Sequence, residues 1–351
     1  MDILVVSSLS YVFVAVVLAL AIRKFLLVPV RLLLLISGIV LGSITLNGLD
    51  LITVPGAGIE LFTGILLSML VYDVFSRFRP MYHDSIHDHS LSILVLQLGA
   101  LCLFLTLFFM LFFDFISALL FSVLLLSITQ FDIDVKQMYR HFLREESVLS
   151  NVLMLALFVP LFLIQSEANA LYMIGTGMGV GLLMGLLFFR LMRLSGQMGT
   201  LFLLVVATYL LAENLGGMGI VSTAVLGLFF GNTRKKQELF EFSATLAYVV
   251  EVILFVIVGI VIPVEFTPST LLISFGAVMV YYMVRFLIIN LTHFEFRERL
   301  YMSFCAPKGT FVIGLLLFLP MYPFSGIGVL VVMWSLIISF ITAANERRIV
   351  G

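Results

Sequence analysis

Cys305-Ala306-Pro307-Lys308-Gly309-Thr310 interrupts a run, about residues 300–320, that otherwise reads as a membrane-spanning helix. A charge at mid-depth of a bilayer costs about 2.5–3.5 kcal/mol on insertion scales, and proline followed by glycine breaks the helix around it. The chain accepts both penalties at one place, so Lys308 stands at a break with a purpose. Everything around it fits a membrane setting: 62% of the 351 residues are hydrophobic, 11% are charged, and the mean hydropathy is +1.22. Such a composition excludes a soluble globular fold and leaves no room for a soluble regulatory domain. Residues 1–351 read as a single membrane domain.

Apolar runs place spans at about 3–22, 27–45, 57–78, 90–113, 115–142 (interrupted), 145–165, 170–189, 196–213, 218–232, 240–262, 269–290, 300–320 and 324–343. The first run lacks a basic leader and a cleavage site and reads as a retained span. Lysines and arginines cluster after every odd-numbered span, at Arg23, Lys24, Arg77, Arg79, Arg190, Arg234, Arg297 and Arg347 among others. Only Arg285 and Lys308 depart from this pattern. The positive-inside rule then predicts an all-α membrane protein of about thirteen transmembrane helices, its N-terminus outside and its C-terminus cytoplasmic, multi-pass in the plasma membrane. Cys102 and Cys305 lie inside apolar runs, away from any disulfide or metal spacing.

A second break falls in the fifth span, where Ser127-Ile128-Thr129-Gln130-Phe131-Asp132-Ile133-Asp134 separates an apolar half from an amphipathic half ending near Arg144. The breaks lie an odd number of spans apart, so the broken helices run in opposite directions. Inverted repeats carrying paired broken helices are the signature of a secondary transporter that binds its ion near the midplane. Ionisable residues within spans are the first functional candidates: Asp73, Glu213, Glu251, Arg285, Lys308, and Asp132 and Asp134 at the break. A structural ion pair would use the same residues. His83, His87 and His89 share one loop and have metal-ligand or pH-sensing potential, against the plainer reading of a polar connection. No nucleophile–base pair, cofactor site or nucleic-acid-binding patch is apparent, and an enzyme is not expected.

These residues resemble the monovalent cation–proton antiporter superfamily, in its sodium/hydrogen exchanger (NhaP-like) branch. Gly38-Ile39-Val40-Leu41-Gly42 is similar to an early Gly-x-x-x-Gly span of that family, and Glu60 through Asp73 to the helix after it. Ala212 to Ile220, continuing to Gly227-Leu228-Phe229-Phe230-Gly231-Asn232, resembles a mid-chain pattern, and Phe255 to Gly259 the next helix. Glu145-Glu146-Ser147-Val148-Leu149-Ser150-Asn151 resembles Glu-Ser-x-x-Asn-Asp, and Ala306-Pro307-Lys308-Gly309 resembles Gly-Pro-Arg-Gly. The resemblance implies two crossed broken helices and a homodimer. It also implies exchange of Na⁺ or K⁺ for protons by rocking of the broken-helix bundle against a panel of dimerising helices.

The departures fall on the acids. Where the family has Thr-Asp-Pro, this chain has Thr129, Gln130 and Phe131, and where it has Asn-Asp, this chain has Ser150 and Asn151. A two-residue shift would set Asp132 at the first aspartate and lose the threonine. The ion-binding or coupling candidates are accordingly Thr129, Gln130, Asp132, Ser147, Ser150, Asn151 and Asp73. Glu146, Arg285 and Lys308 are implied to be structural and electrostatic, with Glu146 paired to Arg285. Three readings remain open: an antiporter whose titrating acid has moved, a transport-inactive scaffold or sensor that keeps the fold without the acids, and a uniporter or anion carrier whose substrate is attracted by Lys308 and Arg285.

Overall fold

The computed structural model describes residues 16–17, 19, 21, 28–43, 45–46, 49–50, 56–78, 87–128, 137–166, 169–191, 198–231, 237–291, 295–319 and 325–345. Among them are thirteen α-helices: α1 Val30–Ser43, α2 Gly56–Arg77, α3 His87–Phe109, α4 Phe115–Leu124, α5 Gln137–Gln165, α6 Ala170–Leu191 and α7 Met198–Asn214, followed by α8 Gly219–Gly231, α9 Gln237–Val261, α10 Pro268–Ile289, α11 Phe296–Phe304, α12 Thr310–Leu316 and α13 Ser325–Ala344. A two-residue antiparallel ladder, β1 Thr45–Leu46 with β2 Leu49–Asp50, is the sole sheet among the described residues. These thirteen helices are not the thirteen expected spans one for one. The first expected span lies almost entirely outside the described residues, and the twelfth is divided into α11 and α12.

Among the described residues, six helical stretches are long and apolar enough to cross a membrane: Ser92–Phe109, Glu145–Gln165, Ala170–Phe188, Phe242–Val261, Pro268–Ile289 and Ser325–Ala344. One expected boundary needs correction. Residues 137–142, expected from hydropathy in the second half of the interrupted fifth span, instead open α5, which runs unbroken from Gln137 through Arg144 into the next span. No breaker stands between Arg144 and Glu145, so backbone hydrogen bonding continues past the point where the apolar stripe stops.

The chain divides into two compact units. The first comprises Met1–Val54, His83–Phe158 and Phe255–Gly351, the second Pro55–Tyr82 and Val159–Leu254. In the second, α8 is the central element, packed on α2, α6 and α7. Glycines set these close approaches: a Cβ at Gly181 would lie 2.5 Å from the Ser222 carbonyl, and one at Gly227 2.8 Å from that of Tyr72. The turn from α7 to α8 requires Gly216, at φ 72°, and the Gly217 N–H returns to the Ala212 carbonyl at 2.8 Å. In the first unit α10 packs on α3 and α13, and α3 on α4. The two motif glycines of α1 meet the C-terminal end of α9, where a Cβ at Gly42 would lie 2.6 Å from the Ile260 carbonyl.

Candidate functional site

The first unit contains two departures from helix that meet. Helix α4 ends at Leu124, and Leu125–Ile128 leave it in turn and extended conformation. Helix α11 ends at Phe304, residues 305–309 are non-helical, and α12 starts with Gly309 at its N-cap. Ile128 and Lys308 form an isolated antiparallel bridge, so the two unwound segments pair through their backbones. An unwound segment has amides and carbonyls without helical partners, and in a buried setting each must find another.

Side chains of α5 supply part of that need. Ser147 Oγ donates to the Ile128 carbonyl at 2.9 Å, and Asn151 Nδ2 donates to the same oxygen at 3.2 Å. Ser127 Oγ donates to Asn151 Oδ1 at 2.6 Å, and Ser150 Oγ to the Ser147 carbonyl at 3.0 Å. Positions 147 and 151 fall one helical turn apart, which is why one face of α5 serves the break, while Ser150 bonds back within its own helix. Asn151 donates and accepts at once, a combination open to an amide and closed to an ionised carboxylate.

Lys308 is 1% exposed. Its ammonium donates to the Leu125 carbonyl at the C-terminal end of α4 and lies 3.3 Å from the centroid of the Tyr281 ring. Its backbone N–H donates to Ser335 Oγ of α13 at 3.0 Å. The charge thus sits at the negative end of a helix dipole and over an aromatic face, both of which favour a cation.

Glu146, one residue before Ser147, turns to the other side. It forms a two-pronged pair with Arg285 of α10, 2.5 Å on each prong, with both side chains fully buried. Gln97 of α3 donates to Glu146 Oε1 at 2.5 Å, and Arg285 Nε donates to the Met302 carbonyl at 3.2 Å. A buried guanidinium and carboxylate cancel each other's charge, and the fork geometry fixes their orientation. The structure therefore brings together Ser147, Ser150, Asn151, Glu146, Arg285 and Lys308 from the expected set.

Asp73 belongs to the second unit. On α2 it pairs with Arg77 at 2.9 Å and accepts from Ser243 of α9 at 2.9 Å. Glu213 is exposed, and its Oε1 accepts the Gly219 N–H at 2.8 Å, capping α8. Glu251 is buried on α9. Thr129, Gln130, Asp132, Asp134 and His83 lie outside the described residues; His87 and His89 open α3, and their side chains and that of Glu60 are outside them too.

Four contributors escaped sequence reasoning. Gln97 was visible as a lone amide in an apolar span, and Tyr281 stands one turn before Arg285 on the same face. Ser127 is the first residue of the quoted break, with nothing in its type to set it apart. Ser335 had no distinguishing signal among the small residues of α13.

A family model described as "sodium/hydrogen exchanger, transmembrane" matches residues 11–344. No curated protein matches the sequence. Among solved structures, the sodium proton antiporter MjNhaP1 from Methanocaldococcus jannaschii at pH 8 matches with a TM-score of 0.70, covering 99% of this chain and 100% of that one at 17% identity. At that identity the likeness is one of fold.

Proposed function

The chain belongs to the sodium/hydrogen exchanger family, and on that premise we propose that it exchanges a monovalent cation, Na⁺ or K⁺, for protons across the membrane. The observation that carries this reading is the backbone pairing of Ile128 with Lys308 where two helices unwind, beside the hydroxyl and amide groups of Ser147 and Asn151. Hard monovalent cations are held by oxygens, and unwound segments present carbonyls that intact helices keep to themselves. In this reading the broken helices cross near mid-membrane as parts of inverted repeats. The bundle that holds them rocks to expose the site alternately to each side. Basic loops place the N-terminus outside and the C-terminus in the cytoplasm of a plasma-membrane homodimer.

Coupling requires an acid that is either protonated or cation-bound. Asn151 has no such pair of states, and Glu146 is committed to Arg285. Asp73 is engaged by Arg77 and Ser243. We therefore assign the exchange of protons to Asp132 or Asp134, beside the first break in sequence.

The second reading, a transport-inactive scaffold or sensor, draws on one specific observation. The Asn151 amide and the Ser147 hydroxyl both donate to Ile128, so that carbonyl is already doubly bonded within the protein. Purified protein in acid-loaded liposomes separates the two readings. Exchange predicts that added Na⁺ or K⁺ dissipates the proton gradient; no response to either ion between about pH 6 and 9 overturns it in favour of the scaffold.

A further inference from the structure

Tyr281 lies where the charged groups and the second break meet. It precedes Arg285 by one turn of α10, so the two side chains leave the same face of that helix. The residue is 1% exposed. Its phenol oxygen accepts an N–H from Arg285 at 3.2 Å, and its own O–H donates to the Ala306 carbonyl at 3.3 Å. Its ring carries the Lys308 ammonium 3.3 Å from the centroid, and that ammonium reaches the Leu125 carbonyl at the end of α4. Arg285 holds Glu146 of α5. One aromatic side chain thus connects α5, through the ion pair, with the 305–309 break, and through Lys308 with the first break.

The two kinds of contact have different chemistry. A buried ammonium loses its water and needs a substitute, which the ring's negative face and a carbonyl provide. Phenylalanine would keep the face and lose the hydroxyl's two bonds. Leucine or methionine would lose both.

We propose that Tyr281 is a positioning residue that keeps the two breaks in register, its ring holding the Lys308 ammonium while its hydroxyl ties the Glu146–Arg285 pair to the Ala306 carbonyl. The consequence for transport rests on the exchange reading given above. There, Tyr281 governs how fast the breaks rearrange and leaves cation affinity alone.

Two readouts test this, and the first needs no transport. Cys305 is buried next to Ala306, and Cys102→Ser leaves it as the remaining one of the chain's two cysteines. In that background, Tyr281→Leu is expected to speed N-ethylmaleimide labelling of Cys305 about tenfold, and Tyr281→Phe by a smaller factor. Adding Lys308→Met should erase the difference between the leucine and phenylalanine variants, because the ring then has no cation to hold. Where Tyr281→Leu yields no folded protein, Tyr281→Met serves as the ringless variant. Equal labelling in all variants, or a leucine–phenylalanine gap that persists with Lys308→Met, overturns the proposal whatever the protein transports.

The second readout is the cation-driven proton flux. Tyr281→Phe should stay within about threefold of the wild-type maximal rate and Tyr281→Leu should fall about tenfold, with half-saturating cation concentration unchanged in both. Labelling as expected with an unchanged flux in Tyr281→Leu overturns the role in transport. A wild-type protein without any flux overturns the exchange reading and that role with it, while the labelling result still decides the register.

Discussion

Asn151 accepts from Ser127 and donates to Ile128, so its amide fits a position where a carboxylate would set two acceptors against each other. Asn151→Asp should therefore destabilise the protein by about 1–3 kcal/mol near neutral pH, read as a lower melting temperature in detergent. The deficit should shrink as the solution is acidified, since a protonated carboxyl regains a donor. Glu146→Gln should cost more, about 3–5 kcal/mol, because it leaves the Arg285 guanidinium buried without its counter-charge. A double-mutant cycle with Arg285→Met checks this: strong coupling is expected, and additive losses would refute the pair's contribution. Arg285 and Lys308 were legible in the sequence because a charge in an apolar run is conspicuous, whereas Glu146, at the charged end of its span, stood out only through the family resemblance. Gln97 and Tyr281 were not legible, since an amide or phenol in a span is unremarkable until its partner is known. Those partners lie 49 and 25 residues away along the chain.

Among the elements, α4 illustrates how a short helix is held at both ends. Asp114 caps its N-terminus by accepting the Ser117 N–H at 3.0 Å, and the Lys308 ammonium meets its C-terminus at the Leu125 carbonyl. Both charges oppose the partial charges of the dipole. Asp114→Ala should cost about 1 kcal/mol of stability. The Ser117 backbone N–H, the main cause, holds the exposed Asp114 carboxyl below its ordinary value. A depressed carboxylate contributes its full share above the unfolded value of about 3.9 and loses it as pH falls through the lower folded value. The gap between wild type and Asp114→Ala should thus be constant near neutrality and close in strong acid, as melting curves across pH would record.

The α1–α9 contact offers a different kind of test. A Cβ at Gly42 would meet the Ile260 backbone, which cannot swing aside as a side chain does. Gly42→Ala should cost about 1–3 kcal/mol as the helices are forced apart, again seen in the melting temperature. The motif containing Gly38 and Gly42 was readable, and so was the Phe255–Gly259 segment, but not that the two meet. The helix boundary at Gln137 was misplaced for a related reason: hydropathy marks where a helix leaves the apolar layer, while hydrogen bonding decides where it stops.

At the scale of the whole molecule, composition, spans and breaks were open to reading because lipid imposes strict rules on length, charge and backbone pairing. The division into two units from interleaved segments was not, since each unit gathers stretches far apart in the chain. The molecule matches the exchanger family over residues 11–344, and in the register read from its motifs the resemblance implies acids where this chain has Gln130 and Asn151. We place proton coupling at Asp132 or Asp134, beside the first break in sequence. Protons released when Na⁺ or K⁺ is added to the purified protein in weak buffer measure that coupling. Release is expected from the wild type and none from the Asp132→Asn, Asp134→Asn double variant; a silent wild type, or a double variant that releases as many protons, would contradict that assignment.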